Sequence, residues 1–309
     1  MSALTRDELR SATAAPRPRD GFVSRRVTVD GLATHVRVAA GAGGTPVVLL
    51  HGLAVSHRYL MPTARALAAR HPVLVPDLPG FGLSAGPPRV YGPNAHARHV
   101  AAMLDPPQTD AGGLLGGGLL GGPADVGGVA SGRVGRRVCL VGHSFGAEVA
   151  ARLAATRPDL VAALVLAGPT SDPAARTYRG QVGRWLLDLA REDPRQAAIL
   201  ARDVRDAGPR RILRTLRSSV RNAIEADLRA ITAPVLLLRG GADPVAPRDW
   251  IARAAARCAG PVETAELAGA GHNALTTAGV EAADLISGFA ATVPGSPATR
   301  RSPGSPPPG

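Results

Sequence analysis

The sequence predicts an α/β fold: a mostly parallel, eight-stranded sheet with helices on both faces and a helical cap set between two of its strands. Three observations predict it. Short, unbroken apolar runs such as Pro46–Leu50 (P-V-V-L-L), Leu160–Leu166 and Pro234–Leu238 (P-V-L-L-L) have the length of strands buried on both faces. These runs alternate with stretches of helical periodicity, as strand–helix–strand units do. Finally, the run Val138–Val141 passes directly into Gly142-His143-Ser144-Phe145-Gly146 and then into the helical Ala147–Ala155. Strand, sharp G-x-S-x-G turn and helix place a serine hydroxyl at the end of a sheet, with the glycines keeping side chains out of a crowded turn.

Taken in order, residues 1–20 are polar and read as a flexible leader, with one T-x-x-E capped turn at Thr5–Glu8. Arg26–Val29 and Thr34–Val38 alternate about Asp30-Gly31, which predicts a hairpin at the start of the core (21–170). Pro46–Leu50 ends in His51-Gly52-Leu53. A helix follows to about Ala69, with Leu60, Ala64, Leu67 and Ala68 on one face. The strand His71–Val75 runs into a tight Gly/Pro loop, Asp77–Ser84, and Pro93–Leu104 reads as a helix. Residues 105–135 are rich in Gly and Pro and carry neither period. They read as a disordered surface insertion, although the leucine pairs leave open a packed portion.

Beyond the elbow, Leu160–Leu166 is the next strand. Residues 171–228 form the predicted helical cap, with one apolar stripe at Trp185, Leu186 and Leu189 and a second at Ile212, Leu216, Val220, Ile224 and Leu228. The core resumes over 229–293 with Pro234–Leu238, a helix at Arg248–Cys258, the strand Val262–Leu267 and the helix Val280–Ala290. Residues 294–309 are a Pro/Gly/Ser/Arg tail, read as disordered.

Composition narrows the function classes. At 309 residues the chain is long enough for one large domain with an insertion. Aromatic residues make up only 3%, too few for base-stacking platforms. The net charge is +12, yet the chain has no lysine and its arginines are spread along its whole length. That distribution is a codon-type bias rather than a basic patch, so no nucleic-acid partner is expected. Cys139 and Cys258 make neither a disulfide framework nor a metal site, and Cys139 reads as a small buried hydrophobe. No apolar signal region and no run of ~18 apolar residues occurs, so a cytoplasmic chain without a membrane partner is expected. Oligomeric state is left open.

In a parallel sheet the reactive groups gather at the carboxyl ends of the strands. His51, Ser144, Asp243 and His272 all stand just past predicted strands. A serine hydroxyl needs a base to take its proton, and the base needs an acid to orient it. The chain offers Ser144, Asp243 and His272 in that order, with Asp172 as a competing acid. With the H-G pair at His51-Gly52, the D-x-P-G-x-G-x-S loop at Asp77–Ser84, the G-x-S-x-G elbow, the Asp243-Pro244 turn and the Gly271-His272 turn, the sequence resembles the α/β-hydrolase fold family, in particular its capped serine esterase, lactonase and peroxidase-like group. The resemblance runs from about Val23 to Val293.

That resemblance implies an α/β-hydrolase fold with Ser144 as nucleophile, His272 as general base and then acid, and Asp243 holding the histidine tautomer. The backbone N–H groups of Leu53 and Phe145 would form the oxyanion hole. It implies no metal and no cofactor. The substrate would be a small or medium hydrophobic ester, lactone or thioester. His51 is expected to shape the oxyanion loop, His143 to pack beside the elbow, Trp185 to be core and the cap arginines to be solvated. Serine at the elbow departs from members that open epoxides or remove halides, which carry aspartate there. G-H-S-F-G-A, with Asn273 after His272, departs from the G-N-S-x-G-G of carbon–carbon hydrolases, which stay as an alternative. A small-molecule receptor on the same fold is the reading from another class.

Overall fold

The computed structural model describes residues 20–105, 137–189 and 196–292. The expected leader up to residue 19, nearly all of the Gly-rich insertion and the tail lie outside the described residues. Strands β1 (Val23–Val29) and β2 (Leu32–Ala39) pair antiparallel across Asp30-Gly31. Both turn residues have positive φ, 48° and 76°, as a two-residue hairpin turn that matches strand twist demands. β2 also pairs antiparallel with β4 (Val73–Pro76). From there the sheet is parallel through β3 (Val47–Leu50), β5 (Val138–His143), β6 (Val161–Ala167), β7 (Val235–Gly240) and β8 (Val262–Leu267). The order across the sheet is β1-β2-β4-β3-β5-β6-β7-β8.

The helices sort by face. Alternate residues of each buried strand point to opposite sides. Val48, Leu50, Leu140, Leu164 and Leu237 enter one core, with α2 (Pro93–Leu104), α3 (Phe145–Thr156) and α8 (Arg248–Ala255). Val47, Leu49, Val141, Val165 and Leu238 enter the other, with α1 (His57–Ala68) and α10 (Gly279–Thr292), while α9 (Ala274–Thr277) adjoins the latter. Each fully buried Leu or Val contributes roughly 2 kcal/mol from area removed from water. Cys139 is fully buried, and burial pushes its thiol up to about 12, so it packs as a hydrophobe.

Between β6 and β7 the chain makes a 3₁₀ turn (Pro173–Ala175) and four helices: α4 (Tyr178–Leu189), α5 (Ala197–Ala207), α6 (Pro209–Val220) and α7 (Ile224–Leu228). Two expectations about these helices change. Trp185 and Leu186 are 43% and 53% exposed, so these two residues of the first stripe are not core. Periodicity identifies an apolar stripe but not what covers it. The second stripe is not one helix: the chain breaks between α6 and α7, and Ile224 and Leu228 pack into the core with α3.

Buried carboxylates tie these helices to the sheet layer. Glu148 of α3 accepts hydrogen bonds from Thr170 (2.7 Å), Asn222 (2.9 Å) and Ser219. Asp172 holds Arg184 of α4 at 2.8 Å and Arg253 of α8 at 2.9 Å. Asp203 of α5 pairs with Arg58 of α1. Complete burial pushes the Glu148 carboxyl up to about 7, against the lowering by the four side chains bonded to it. The folded chain therefore holds this proton where the unfolded chain has released it. Glu148 contributes stability that is full below the ordinary value of 4.5 and is lost as pH rises through about 7. The span is worth on the order of 3 kcal/mol. Glu148→Gln removes this titration. The expected result is that the melting temperature of the natural chain falls relative to the variant between about pH 4.5 and 7. A constant difference would show that Glu148 does not titrate there.

Candidate active site

Ser144 sits between the last residue of β5 and the first of α3, with φ 55° and ψ −120°. Few residues adopt that conformation, and the surroundings enforce it. A side chain at Gly142 would stand 2.3 Å from the Gly146 carbonyl, and one at Gly146 would stand 2.4 Å from the Leu50 carbonyl. The two glycines let strand, turn and helix approach to backbone contact. The Ser144 N–H donates to the Ala167 carbonyl of neighbouring β6 (2.9 Å). The elbow is thus fixed to the sheet from which its hydroxyl projects.

Asp243 follows β7, and His272 follows β8. The β8 loop has to carry the imidazole back across the ends of β7 and β6 to reach Ser144, roughly three strand spacings of ~4.8 Å. Gly168, just past β6, makes that crossing possible: a Cβ there would come within 2.9 Å of the His272 ring. His272 Nε2 lies 2.9 Å from Ser144 Oγ, and Nδ1 lies 2.9 Å from Asp243 Oδ2. A carboxylate only accepts, so Nδ1 carries the proton and Nε2 is left to accept from the serine hydroxyl. Asp243 is itself held, its Oδ1 accepting the N–H groups of Val245 (2.7 Å) and Ala246 (3.0 Å). Burial pushes the Asp243 carboxyl up, but its interaction with His272 and the two backbone hydrogen bonds outweigh it and keep the group below its usual value. Asp172, the competing acid, is engaged with its two arginines instead.

The residues expected to line an oxyanion hole adjoin the serine. Phe145 is the first residue of α3, whose N–H has no intrahelical acceptor. His51 is fully buried, and burial lowers its pKa. Its Nε2 accepts from the Leu78 N–H (2.9 Å), so its Nδ1 donates to the Gly52 carbonyl (2.8 Å). In a trans peptide this turns the Leu53 N–H to the opposite side. Gly52 stands where an added Cβ would be 3.1 Å from Ser144 Cβ. His143 donates from Nε2 to the His272 carbonyl (2.9 Å), and its ring lies 5.0 Å from that of His272. Burial first, then the neighbouring His272, pushes His143 down to about 3, so it stays a neutral prop.

Behind this loop, Asp77 is fully buried and accepts from His35 Nδ1 (2.9 Å), His57 Nδ1 (2.9 Å), and the N–H groups of His57 (2.8 Å) and Leu83 (2.9 Å). The hydrogen bonds from both imidazoles overcome burial and hold its carboxyl well below the usual range. His35, His57 and Asp77 have the residue types and spacing to hold a metal ion. Their polar atoms already satisfy one another, which suits a structural knot at the base of the loop.

Two side chains near the site escape sequence reasoning. Asp188 of α4 is buried, and its Oδ1 accepts the backbone N–H of His272 at 2.8 Å. Glu148, four residues past Ser144, accepts from Ser219 of α6. Neither belongs to a motif, and both lie in stretches whose periodicity says only helix. Among the described residues no helix is long and apolar enough to cross a membrane.

Comparison with known proteins bears on the whole arrangement. A family model described as "Alpha/beta hydrolase family" matches residues 47–285. The chain is 33% identical over 165 residues to the lipase LipV of Mycobacterium tuberculosis, covering 53% of this chain and 52% of that protein. It is 30% identical over 153 residues to a 2-hydroxy-6-oxo-2,4-heptadienoate hydrolase of Pseudomonas putida, covering 47% and 44%. The chain thus spans about half the length of these two relatives. Among solved structures, a bacterial membrane phospholipase A has a TM-score of 0.68 at 21% identity, covering 87% of this chain and 86% of that one, a likeness of fold. With the family match running from β3 into α10, the chain belongs to the α/β-hydrolase family.

Proposed function

We propose that this chain is a serine hydrolase that cleaves a small or medium hydrophobic carboxylic ester, lactone or thioester. The observation that carries the reading is the continuous relay from Ser144 Oγ through His272 to Asp243, with both contacts at 2.9 Å. Ser144 Oγ attacks the carbonyl carbon as its proton passes to His272 Nε2. The charge formed on the imidazole is met by Asp243, and the charge formed on the carbonyl oxygen by the N–H groups of Leu53 and Phe145. One such donor is worth about 3–4 kcal/mol in the transition state. Collapse of the tetrahedral intermediate breaks the carbon–leaving-group bond, and His272 returns the proton to the departing oxygen or sulfur. Water then repeats the sequence on the acyl-enzyme and frees Ser144.

The helices between β6 and β7 act in this reading as the cap that selects substrate and sheds water. Asp188 links that cap to the loop carrying His272. A screen over p-nitrophenyl esters, lactones and acyl thioesters tests the reading. Turnover of at least one class, together with stoichiometric phosphonate labelling of Ser144, is expected. A folded chain that binds a ligand but neither turns over nor labels would make it a receptor. Carbon–carbon cleavage is the second reading, favoured by similarity to the heptadienoate hydrolase. Turnover of a vinylogous 1,5-diketone in preference to every ester would establish it.

A further inference from the structure

Between the first turn of α6 and the segment Pro87–Val90 lies a cleft of about 440 Å³, within the ~300–1,000 Å³ of small-molecule sites. Arg210, Arg211 and Arg214 stand on one side and Pro87 and Pro88 on the other, and no acidic side chain lines it. The spacings of three and four residues bring Arg211 and Arg210 beside Arg214 on one side of the helix. Among the described residues none of the three makes an ion pair or side-chain hydrogen bond. By contrast, Arg58, Arg152, Arg157, Arg184, Arg239 and Arg253 each hold a carboxylate.

Arg211 is the built part of the site. Its guanidinium rests on bare backbone: a Cβ at Gly80 would stand 2.3 Å from Nη1, and one at Gly86 would stand 2.5 Å from Nη2. Nη1 is buried and has no hydrogen-bond partner among the described residues. The fork is thus held in place and partly stripped of water, an unfavourable state that an anion in the cleft would relieve. Three cations side by side favour a multiply charged partner over a single carboxylate. Planar guanidinium forks match phosphate oxygens with paired hydrogen bonds.

We propose that this cleft is a phosphate-binding site, taking either free phosphate or the phosphate of a larger organic molecule. Ser144, Asp243 and His272 are not among its walls, and the proposal stands apart from the hydrolase reading. Calorimetric titration of the full chain with inorganic phosphate and with coenzyme A tests it. Saturable binding is expected, weakened at least ~tenfold in Arg211→Gln and again in Arg214→Gln, since each removes a charged donor. Arg214 is exposed, so its variant reports on binding even where Arg211→Gln disturbs the packing on Gly80. The double variant Arg25→Gln/Arg26→Gln, two exposed residues of the edge strand β1, is the control for general charge, and less than ~twofold weakening is expected from it. Coenzyme A binding more tightly than phosphate, through the same arginines, assigns the site to an organic phosphate. Equal affinity assigns it to the free ion. Absence of saturable binding by both probes, or equal weakening in the control, overturns the proposal.

Discussion

Ser144→Ala is expected to lower kcat on the best ester by about a million-fold, because nucleophile and base act as a unit and the loss of either removes the covalent route. What survives is the modest acceleration from binding and the oxyanion donors. The fold is expected to be unharmed, since alanine keeps the φ of 55° that the neighbours impose. Ser144→Gly sharpens the test. Glycine adopts positive φ without the ~1–3 kcal/mol cost of a side chain there, and gives back ~0.5–1 kcal/mol in chain entropy. A net stabilisation of about 1 kcal/mol is therefore expected from an equally inactive protein. Kinetics and denaturant unfolding on both variants check this. Activity retained within ~tenfold in Ser144→Ala would remove the serine mechanism.

Asp243→Asn carries the second largest effect, a loss in kcat of about ten-thousand-fold. Its shape hardly changes, but an amide NH₂ facing His272 Nδ1 makes that nitrogen an acceptor. The ring proton then moves to Nε2, 2.9 Å from Ser144 Oγ, where a base is needed. The measurement is kcat and phosphonate labelling rate for Asp243→Asn beside Asp172→Asn. The latter breaks contacts to Arg184 and Arg253 and is expected to change melting temperature more than chemistry. A larger kcat loss in Asp172→Asn would transfer the orienting role.

Much of this candidate site could be read from sequence because its members stand just past predicted strands. Ser144, Asp243 and His272 follow β5, β7 and β8, and a strand end in a parallel sheet is a place of known function. All eight strands were legible, β1 and β2 from their alternation about Asp30-Gly31 and the rest as short runs between helical stretches. Their order was not: an apolar run says that a strand is buried, not beside which neighbour, so nothing foretold β3 lying between β4 and β5. The contacts of Asp188 and Glu148 were equally hidden. A carboxylate buried through hydrogen bonds to a chain segment 84 residues away looks, in sequence, like any solvated acid. Trp185 erred in the opposite sense, since size and apolarity argue for burial and the fold leaves it 43% exposed.

The buried carboxylates that tie the helices between β6 and β7 to the sheet also limit how that segment could be exchanged. β6 and β7 are hydrogen-bonded neighbours, so the helices between them are an excursion that leaves and rejoins the sheet at adjacent strands. By connectivity alone, that segment could be exchanged for another without redrawing the sheet. The buried carboxylates forbid a free exchange. Glu148 and Arg58 in the core keep their partners Ser219, Asn222 and Asp203 in the excursion, and the loop bearing His272 keeps Asp188. A transplanted excursion would have to bring those groups with it, or leave charges and an amide stranded. Exchange of this excursion is therefore possible only in matched sets, with a few polar pairs deciding which replacement the core can accept.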